Sequence, residues 1–482
     1  MQVLFLSSEV APFAKTGGLG DVSAALPKAL HERGHDVRVF MPLYERIDHR
    51  KYQFRVIESL RHLKVMFGPK SYDTSIVAAR LPGSSMEVFF VQCPQLYGRH
   101  AIYSNDGDEH LRFLVLGYAA LEAAQRMRFA PDIIHCNDWQ TAMVPLILKT
   151  RFAWYGAVFG KSRTVLTIHN LNYQGQFPAS VLPDTGLLRS AHLLHQDQLK
   201  EGRINFLLHG ILYANAITTV SPTYAKEIRT GEFGAGLDGF LRSREGAVFG
   251  ILNGVDYDEW SPQADQIIPF RYDVDDLAGK ERNRAALLAR GRLPNLPGVP
   301  ILGIVSRLTS QKGFDLLPDV LFKVLRERKF QLVVQGSGEH RFSRMFHQLR
   351  DQFPAQVRFQ TQFDNALAHL IQAGADFFLM PSHYEPCGLT QLYAMKYGTI
   401  PLVRKTGGLS DTVSLYQPST GQGTGIVFEN YDAQAVHWAL NAASDLYRDR
   451  ATMRRIQRNG MTQNFSWSLQ VQKYEQLYSR LA

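Results

Sequence analysis

The chain has 482 residues, of which 45% are hydrophobic and 20% are charged, and this composition excludes a disordered or fibrous protein. Its length exceeds what one hydrophobic core usually supports, so two domains of roughly 200 to 250 residues each are expected. The formal net charge of +9 suits an anionic small substrate as well as a nucleic acid, but the sequence contains no aromatic and basic nucleic-acid module.

The first residues, Gln2 to Leu6, follow the pattern of a buried strand. They show neither the basic and apolar pattern of a signal peptide nor that of a transit segment. No apolar run reaches the roughly 18 residues that a membrane-spanning helix needs. We therefore expect a cytoplasmic protein with no membrane partner.

Short apolar runs alternate with helical patterns, and this rhythm predicts parallel sheets covered by helices on both faces. In the first half of the chain the predicted strands are Val3–Leu6, Val37–Met41, Val88–Val91, Ile133–His135, Val165–His169 and Ile217–Val220. In the second half they are Ile301–Val305, Leu332–Val334, Val357–Gln360, Phe377–Met380, Ile400–Val403 and Ile426–Phe428. Each set is enough for one doubly wound domain.

A domain junction is expected near residue 250, where Asn253-Gly254-Val255-Asp256 precedes a polar stretch and the proline-rich Leu293–Pro300. The predicted fold class is α/β, with two doubly wound domains that face a central cleft. Ligands of open parallel sheets bind beyond the carboxyl ends of the strands, so the residues directly after each strand are the candidate site.

One glycine-rich stretch occurs twice. Lys15-Thr-Gly-Gly-Leu-Gly-Asp21 follows the first strand and precedes an apparent helix, and Lys405-Thr-Gly-Gly-Leu-Ser-Asp411 precedes a helix expected to begin near Asp411. Glycines at such a junction let the backbone approach a ligand, and N–H groups at a helix start attract an anion such as phosphate. Glycine-rich turns are common and the echo could be coincidence, but the pair favours one ligand bound from two sides.

Arg307 and Lys312 follow the strand Ile301–Val305 on one loop. Such a pair is usually solvated surface, but beside glycine loops it is suited to neutralise a diphosphate.

Glu385 stands before Pro386, which suits the first turn of a helix over Leu389–Tyr397 that ends at Gly398. A carboxylate there would bind sugar hydroxyls, stabilise a cationic transition state, or only cap the helix.

The remaining candidate groups carry weaker signals. The three cysteines are odd in number and widely separated, which indicates neither disulfides nor zinc. Cys387 is either an activated thiol at a helix start or, more in keeping with its lack of a partner base, a packing residue. His169 ends a strand, where a lone histidine is more often structural than catalytic. His135 and Asp138 have no further ligands at a metal-binding spacing, so no metal is assigned.

A nicotinamide dinucleotide site is a rival hypothesis. Gly18-Leu-Gly20 and Gly336-Ser-Gly338 each match the first two glycines of the GxGxxG fingerprint and miss the third, which is a weak signal.

A specific set of motifs spans essentially the whole chain: Lys15-Thr-Gly-Gly-Leu-Gly-Asp21, Asn137-Asp-Trp139, His169-Asn170 with Tyr173-Gln-Gly175, Val220-Ser-Pro-Thr-Tyr224, Leu252-Asn-Gly-Val-Asp256, Ser306-Arg-Leu308 with Gln311-Lys-Gly313, Glu385-Pro-Cys-Gly-Leu-Thr-Gln391, Thr406-Gly-Gly-Leu409 and Phe465-Ser-Trp467. Together they resemble the bacterial glycogen synthase and plant starch synthase family. These are retaining glucosyltransferases with two Rossmann-like domains, the GT-B type.

The resemblance implies transfer of glucose from ADP-glucose to the nonreducing 4-hydroxyl of an α-1,4-glucan such as glycogen or a maltooligosaccharide, with retention of configuration and release of ADP. ADP-glucose would be a co-substrate, with no cofactor, no metal requirement and no nucleic-acid partner. The implied domains are an acceptor-side domain at residues 1–250, a nucleotide-sugar domain at residues 251–463, and a C-terminal helix at residues 464–482 that packs back on the first domain.

Site residues can be carried over by position. The residues implied to be catalytic are Glu385, His169, Arg307, Lys312 and Asp138. Those implied to bind the donor are Lys15, Gly18, Asp21, Asn253, Cys387, Gly388, Leu389, Thr406, Gly407 and Gly408. Trp139 and Tyr97 are implied to lie on the acceptor side.

The chain departs from the family pattern in three places. Many relatives carry histidines where this chain has Asn137 and Gln140, a small residue where it has Asn172, and Asn-Phe-Leu-Lys-Gly-Gly where it has Asn205-Phe-Leu-Leu-His-Gly210. These changes bear on acceptor preference and loop behaviour more than on the reaction.

Three alternatives remain open at this point. An enzyme that uses UDP-glucose or another acceptor would have the same fold, and no motif identifies the nucleotide base of the donor directly. A nicotinamide oxidoreductase is disfavoured by the incomplete fingerprints. A catalytically silent glucan-binding protein is disfavoured because the charged residues of the motifs are intact. The sequence does not indicate an oligomeric state.

Overall fold

A computed structural model describes all residues, Met1–Ala482, which form two compact units. The first unit contains Met1–Val220, Ala225–Gly254 and Trp467–Ala482, and the second contains Ser221–Tyr224 and Val255–Ser466. The sequence did not predict that Ser221–Tyr224 would belong to the second unit. These residues are held there by Asp411, whose carboxylate accepts hydrogen bonds from the N–H and Oγ1 of Thr223 at 2.8 and 2.7 Å.

The strands of the first unit are β1 (Gln2–Leu6), β2 (Asp36–Pro42), β3 (Arg55–Val56), β4 (Leu63–Phe67), β5 (Lys70–Arg80), β6 (Glu87–Gln92), β7 (Ile133–Asn137), β8 (Arg163–Ile168), β9 (Gln176–Pro178), β10 (Arg203–Asn205), β11 (Ala216–Thr219) and β12 (Val248–Gly250). The helices that precede its junction with the second unit are α1 (Gly18–Glu32), α2 (Pro94–Tyr97), α3 (Glu109–Arg126), α4 (Asp138–Thr141), α5 (Val144–Thr150), α6 (Gly156–Phe159), α7 (Gln196–Lys200), α8 (Phe206–Tyr213), α9 (Pro222–Glu227) and α10 (Asp238–Ser243).

The main sheet of the first unit has the order β12-β11-β8-β7-β1-β2-β6-β5-β3, with β4 paired to β5. The strands from β12 to β6 are parallel, whereas β3, β4 and β5 pair antiparallel. All six predicted strands of this half are present. The antiparallel extension was not predicted, because strands such as β4 bury only alternate residues and so lack the continuous apolar run of a strand covered on both faces.

The second unit contains β13 (Ile301–Val305), β14 (Gln331–Gln335), β15 (Val357–Gln360), β16 (Phe377–Met380), β17 (Ile400–Arg404) and β18 (Ile426–Phe428). Its helices are α11 (Ala278–Gly291), α12 (Pro318–Arg326), α13 (His340–Gln352), α14 (Asn365–Gly374), α15 (Thr390–Lys396), α16 (Gly407–Thr412), α17 (Ala433–Arg448) and α18 (Arg450–Met461). All six predicted strands of this half are present.

The second sheet is wholly parallel, with the order β15-β14-β13-β16-β17-β18. In the strands other than the edge strand β15, alternate residues enter two different cores. Phe377 and Leu379 belong to one apolar cluster, and Phe378 and Met380 belong to another. Burial on both faces explains why these strands read as unbroken apolar runs. The prediction of two doubly wound α/β domains is confirmed.

The last helix, α19 (Trp467–Leu481), completes the first unit. Nδ1 of His135, a buried residue of β7, lies 2.5 Å from the hydroxyl of Tyr478. At the other edge of the helix, Glu475 accepts hydrogen bonds from Arg33 at 2.7 Å and from His35 at 3.0 Å. The helix is thus attached to the sheet by polar contacts as well as by its buried aromatic residues. No helix of the protein combines the length and the apolar character needed to cross a membrane.

Candidate functional site

In each sheet the strand order reverses beside the first strand. The reversal lies between β1 and β7 in the first unit, and between β13 and β16 in the second. Loops that leave such a pair of strands diverge to opposite faces of the sheet and leave a crevice at the carboxyl ends of the strands. Most of the candidate residues follow these four strands.

Lys312 and Glu385 form a close ion pair in the second unit. Nζ of Lys312 lies 2.5 Å from Oε2 of Glu385, and the hydroxyl of Ser382 donates a hydrogen bond to the same oxygen at 3.1 Å. Glu385 is only 5% exposed, so water screens this pair less than it screens ion pairs on the surface. The sequence predicted both residues but not their pairing.

Gly313 explains how the two loops approach so closely. Its φ is +74°, and a Cβ at this position would lie 1.9 Å from the carbonyl oxygen of Pro381. Only glycine avoids both the strain and the collision. On the other side of Lys312, the N–H of His383 donates a hydrogen bond to the carbonyl oxygen of Gln311 at 2.9 Å. The loop after β13 is therefore fastened to the loop after β16.

Arg307 is exposed, but its backbone is held by the segment after β14. The N–H of Leu308 donates to the carbonyl oxygen of Ser337 at 2.8 Å, and the N–H of Glu339 donates to that of Leu308 at 2.7 Å. A Cβ on Gly338 would lie 2.2 Å from the oxygen of Leu308. The glycines of the incomplete dinucleotide fingerprint therefore have a packing role, which accounts for them without a dinucleotide.

The second glycine stretch packs directly against Glu385 and Cys387. The N–H of Gly408 donates to the carbonyl oxygen of Glu385 at 3.0 Å, and a Cβ on Gly408 would lie 2.1 Å from the carbonyl oxygen of Cys387. Helix α16 begins at Gly407, so the prediction of a helix beginning near Asp411 is wrong. Glycines are poor helix formers, so the sequence favours a loop at these positions. Thr406, the residue before the helix, is buried.

The helix after Glu385 also begins later than predicted. Helix α15 starts at Thr390, so the prediction that Pro386 occupies its first turn is wrong. The physical reason is Gly388, whose φ of +72° is incompatible with a right-handed helix. Cys387 is buried, and Leu389 immediately precedes the helix.

In the first unit, the glycine stretch begins with an ion pair at the surface. Nζ of Lys15 lies 2.6 Å from Oδ1 of Asp21, and both side chains are substantially exposed. Helix α1 begins inside the stretch at Gly18, as the prediction of a following helix requires. Gly17 has an extended backbone with φ of −160°, and a Cβ there would have no atom within 4 Å. This loop is open where the second one is packed.

Glu9 was not singled out from the sequence, yet it organises this loop. Its side chain is buried, and Oε2 accepts hydrogen bonds from the N–H groups of Thr16 at 2.5 Å and Gly17 at 3.3 Å. Oε1 accepts from Oγ1 of Thr16 at 2.7 Å and from the hydroxyl of Tyr103 at 2.5 Å. The only sequence signal was an acidic residue between an apolar strand and a glycine stretch.

Asn137 determines the protonation of His169. Nδ2 of Asn137 donates to the carbonyl oxygen of Leu6 at 2.9 Å, which leaves its Oδ1 to accept from Nε2 of His169 at 2.9 Å. The imidazole therefore carries its proton on Nε2 and a lone pair on Nδ1. Burial lowers the pKa of His169 to about 3, so the ring is neutral at physiological pH.

Asp138 lies beside His169 in an unusual backbone conformation. Its φ is +52°, a left-handed value that aspartate adopts more readily than most residues. Its Oδ1 accepts the N–H of His169 at 2.7 Å. Burial raises the pKa of Asp138 to about 7, and the charge of Glu9 acts in the same direction. The carboxyl group is therefore able to change protonation near neutral pH.

Comparison with known proteins places this geometry in a family. The family model for the starch synthase catalytic domain matches residues 2–243, and the model for glycosyl transferases group 1 matches residues 290–461. The glycogen synthase of Myxococcus xanthus (strain DK1622) is 46% identical over 486 residues, covering 100% of this chain and 99% of the relative. The chain belongs to the glycogen and starch synthase family.

Further relatives agree with this family. The glycogen synthase of Koribacter versatilis (strain Ellin345) is 41% identical over 100% of this chain and 98% of its own. The catalytic domain of starch synthase IV from Arabidopsis thaliana, solved bound to ADP and acarbose, is 36% identical. It superposes with a TM-score of 0.91 over 100% of this chain and 99% of that chain.

Two residues expected on the acceptor side of a glycogen or starch synthase are mostly buried. Tyr97 is 0% exposed, and its hydroxyl donates to the carbonyl oxygen of Arg112 at 2.7 Å, so its place on the acceptor side stays a prediction. The residue is aromatic and follows a strand, a pattern that core residues share. Trp139 is 8% exposed and packs against Phe113 and Phe177, and its contact with an acceptor stays a prediction.

Asn253 is buried in the first unit, and its Oδ1 has no hydrogen-bond partner. A buried acceptor without a partner is costly, which is consistent with the donor-binding role expected of it in this family. No three His, Cys, Asp or Glu side chains converge as they would around a metal ion.

Proposed function

We propose that the protein transfers glucose from ADP-glucose to the nonreducing 4-hydroxyl of an α-1,4-glucan, with retention of configuration and release of ADP. The observation that carries the proposal is the full-length similarity to glycogen synthases, at 46% identity to that of Myxococcus xanthus. The starch synthase IV structure, with its TM-score of 0.91 and its bound ADP and acarbose, supports a nucleotide-sugar donor and a glucan acceptor.

The leaving group requires cations. Departure of ADP leaves negative charge on its diphosphate, and fixed positive groups that face this charge lower the barrier. We assign this role to Arg307 and Lys312, which follow the same strand. Lys15, Gly18 and residues 406–409 at the start of α16 would assist them in binding the donor.

The glucosyl ring requires the opposite charge. Positive charge develops on the ring as the bond to phosphate breaks, and the carboxylate of Glu385 is suited to stabilise it or to bind a sugar hydroxyl. We favour these roles over covalent attack because Oε2 already accepts hydrogen bonds from Lys312 and Ser382, which stabilise the carboxylate and reduce its nucleophilicity. Retention then follows if the acceptor hydroxyl approaches the face that ADP leaves and gives its proton to the departing phosphate.

His169 would orient the sugar. A neutral imidazole with its lone pair on Nδ1 accepts a hydrogen bond from a hydroxyl group, whereas a protonated imidazole only donates. The Asn137 contact at 2.9 Å supports this assignment, since it holds the proton on Nε2.

The test is nucleoside-diphosphate release from ADP-glucose and from UDP-glucose, each with and without glycogen, on the purified protein without added metal. We expect ADP release that depends on glycogen, accompanied by elongation of the polymer. Preferential release of UDP would show that the donor is UDP-glucose and not ADP-glucose. If neither donor releases a nucleoside diphosphate, the remaining hypothesis is a glucan-binding protein without activity. Binding of a maltooligosaccharide would then test that hypothesis.

A further inference from the structure

The second unit contains a cavity at the amino-terminal ends of its strands. The Lys312–Glu385 pair lies at their carboxyl ends. Asp376, which lines the cavity, immediately precedes β16, whereas Glu385 follows that strand. Helices α11 and α18 contribute most of the remaining lining, and the cavity volume is about 200 Å³. This volume accommodates a small polyatomic anion together with several water molecules.

The charged residues that line the cavity are mostly basic. They are the cations Lys280, Arg284, Arg450 and Arg454 and the carboxylates Glu281 and Asp376. The cations exceed the carboxylates by two. When Lys280 is protonated, a ligand with two negative charges would therefore neutralise the cavity.

Arg284 and Asp376 already neutralise each other. Nε of Arg284 lies 3.3 Å from Oδ2 of Asp376, and the same carboxylate oxygen accepts the N–H of Ile301 at 2.8 Å. Another nitrogen of Arg284 donates to the carbonyl oxygen of Val299 at 2.8 Å. This pair supports the edge of the sheet and leaves the other cations to face a ligand.

Arg450 and Arg454 lie one turn apart on α18, and both are exposed. The guanidinium of Arg450 lies 3.9 Å from the centre of the Tyr447 ring, which fixes its plane. No carboxylate lies within ion-pair distance of Arg454, in contrast to Arg458 on the same helix, which pairs with Asp275 at 3.3 Å. Guanidinium groups bind phosphate through two parallel hydrogen bonds.

Lys280 lines the same cavity from α11 and is only 5% exposed. Its Nζ donates to the carbonyl oxygen of Ala373 at 3.1 Å and to Oγ1 of Thr399 at 2.8 Å, so it has neutral acceptors only and one N–H to spare. Burial lowers the pKa of Lys280 to about 7. The charges of Asp376 and Glu281 offset part of this effect. A buried ammonium with no anion in direct contact is costly, and an anion in the cavity would reduce that cost.

We propose that this cavity is a second anion site, which binds the phosphate group of inorganic phosphate or of a small phosphorylated metabolite between Lys280, Arg450 and Arg454. A phosphate group fits better than a carboxylate because it carries up to two charges, which match the excess, and has three or more oxygens for three cations. The site is separate from the donor-binding residues of the second unit, which follow the carboxyl ends of its strands.

The test is calorimetric titration of inorganic phosphate into the full-length protein at constant ionic strength, with ADP at saturation so that the donor site is occupied. We expect one phosphate to bind per chain. Arg454→Glu should weaken this binding at least tenfold. The matched control is Arg455→Glu, an exposed neighbour on the same helix that does not line the cavity, and it should leave phosphate binding unchanged.

Two results would overturn the proposal. The first is that phosphate does not bind to the wild-type protein. The second is that Arg454→Glu and Arg455→Glu weaken phosphate binding equally, which would mean that general surface charge causes the effect. Titration with glycerol phosphate distinguishes the two sources of the phosphate group. Tighter binding of the ester indicates a phosphorylated metabolite, and tighter binding of the free ion indicates inorganic phosphate.

Discussion

The two Lys-Thr-Gly-Gly-Leu stretches share their letters and their position after a strand, but their surroundings differ. At Lys15–Asp21 the N–H groups of Thr16 and Gly17 donate hydrogen bonds to the buried carboxylate of Glu9. A Cβ on Gly17 would have no atom within 4 Å. At Lys405–Asp411 the N–H of Gly408 is bound by the carbonyl oxygen of Glu385, and the glycine is pressed against Cys387.

The comparison shows that a repeated motif specifies a local backbone but not its partners. Both stretches produce a helix start whose first N–H groups need acceptors from outside the helix. One loop is held by a side chain and remains accessible, whereas the other is held by backbone and forms part of the wall beside Glu385. We expect substitutions to affect the two loops differently.

The largest effect is expected at the ion pair beside the second loop. Lys312→Met removes a cation assigned to the diphosphate and leaves the carboxylate of Glu385 without its partner. We expect kcat to fall about 100- to 1,000-fold, the range seen when one transition-state donor is lost, in a glycogen-dependent ADP-release assay. Lys329→Met removes a surface lysine and should leave kcat unchanged. Full activity of Lys312→Met would refute the site assignment.

The next largest effect is expected from alanine substitution of Gly408, compared with the same substitution of Gly17. Gly408→Ala forces a methyl group to 2.1 Å from a backbone oxygen, so the loop must move at a cost of about 1–3 kcal/mol, and the KM for ADP-glucose should rise. Gly17→Ala meets no neighbour and should cost less than about 1 kcal/mol. Urea unfolding and donor kinetics measure both. Equal damage from the two substitutions would contradict the distinction between the loops.

Asp138 tests the electrostatics around the first loop. Burial raises its pKa from 3.8 to about 7, so the ionised form is disfavoured in the folded protein and stability falls as pH rises through this range. Asp138→Asn, which tolerates the positive φ, should gain stability relative to wild type by up to about 1.4 kcal/mol per pH unit between pH 4 and 7. Urea unfolding at several pH values measures this. A difference that does not vary with pH would contradict the raised pKa.

Glu9→Gln tests whether the first loop needs its carboxylate. An amide supplies one acceptor oxygen in place of two, so one group of donors among Thr16, Gly17 and Tyr103 loses its partner. We expect the KM for ADP-glucose to rise roughly tenfold, since a hydrogen bond to a charged group contributes about 1.5–3 kcal/mol. Tyr103→Phe removes one donor only and should have a smaller effect. Unchanged kinetics in Glu9→Gln would show that the loop holds its shape without this contact.

The smallest effect is expected at the surface of the same loop. Asp21→Asn removes the exposed ion pair with Lys15, and exposed pairs contribute about 0–1 kcal/mol to stability. Urea unfolding at low and high salt should give nearly the same value as wild type. A larger loss, removed by salt, would mean that the pair holds the loop.

Most parallel strands of both sheets were predictable because their residues are buried on both faces and form unbroken apolar runs. Strands β3 and β4 were missed because β3 is exposed and β4 buries one face only. Strand β5 was missed although its residues 76–79 are buried on both faces. The helix starts at Gly407 and Thr390 were predicted wrongly because they depend on backbone contacts and on the left-handed Gly388, which no periodicity records.

The chemical types of the site residues were predictable, but their pairings were not. Lys312 and Glu385 are separated by 73 residues, and they meet because β13 and β16 are neighbours at the reversal of strand order. The hydrogen bond from His169 to Asn137 likewise depends on the pairing of β7 with β8. Glu9 was overlooked because a single acidic residue has no distinctive spacing.

The chain order of the last helix has a consequence for synthesis. Trp467–Leu481 packs in the first unit, yet the ribosome makes it after the whole of the second unit. Nascent domains otherwise tend to fold as they emerge. Here the face of β7 that bears His135 stays uncovered until the helix with Tyr478 has been synthesised. A translation product that stops within the second unit therefore keeps an unfinished first unit, and proteases and chaperones can recognise it by that uncovered surface.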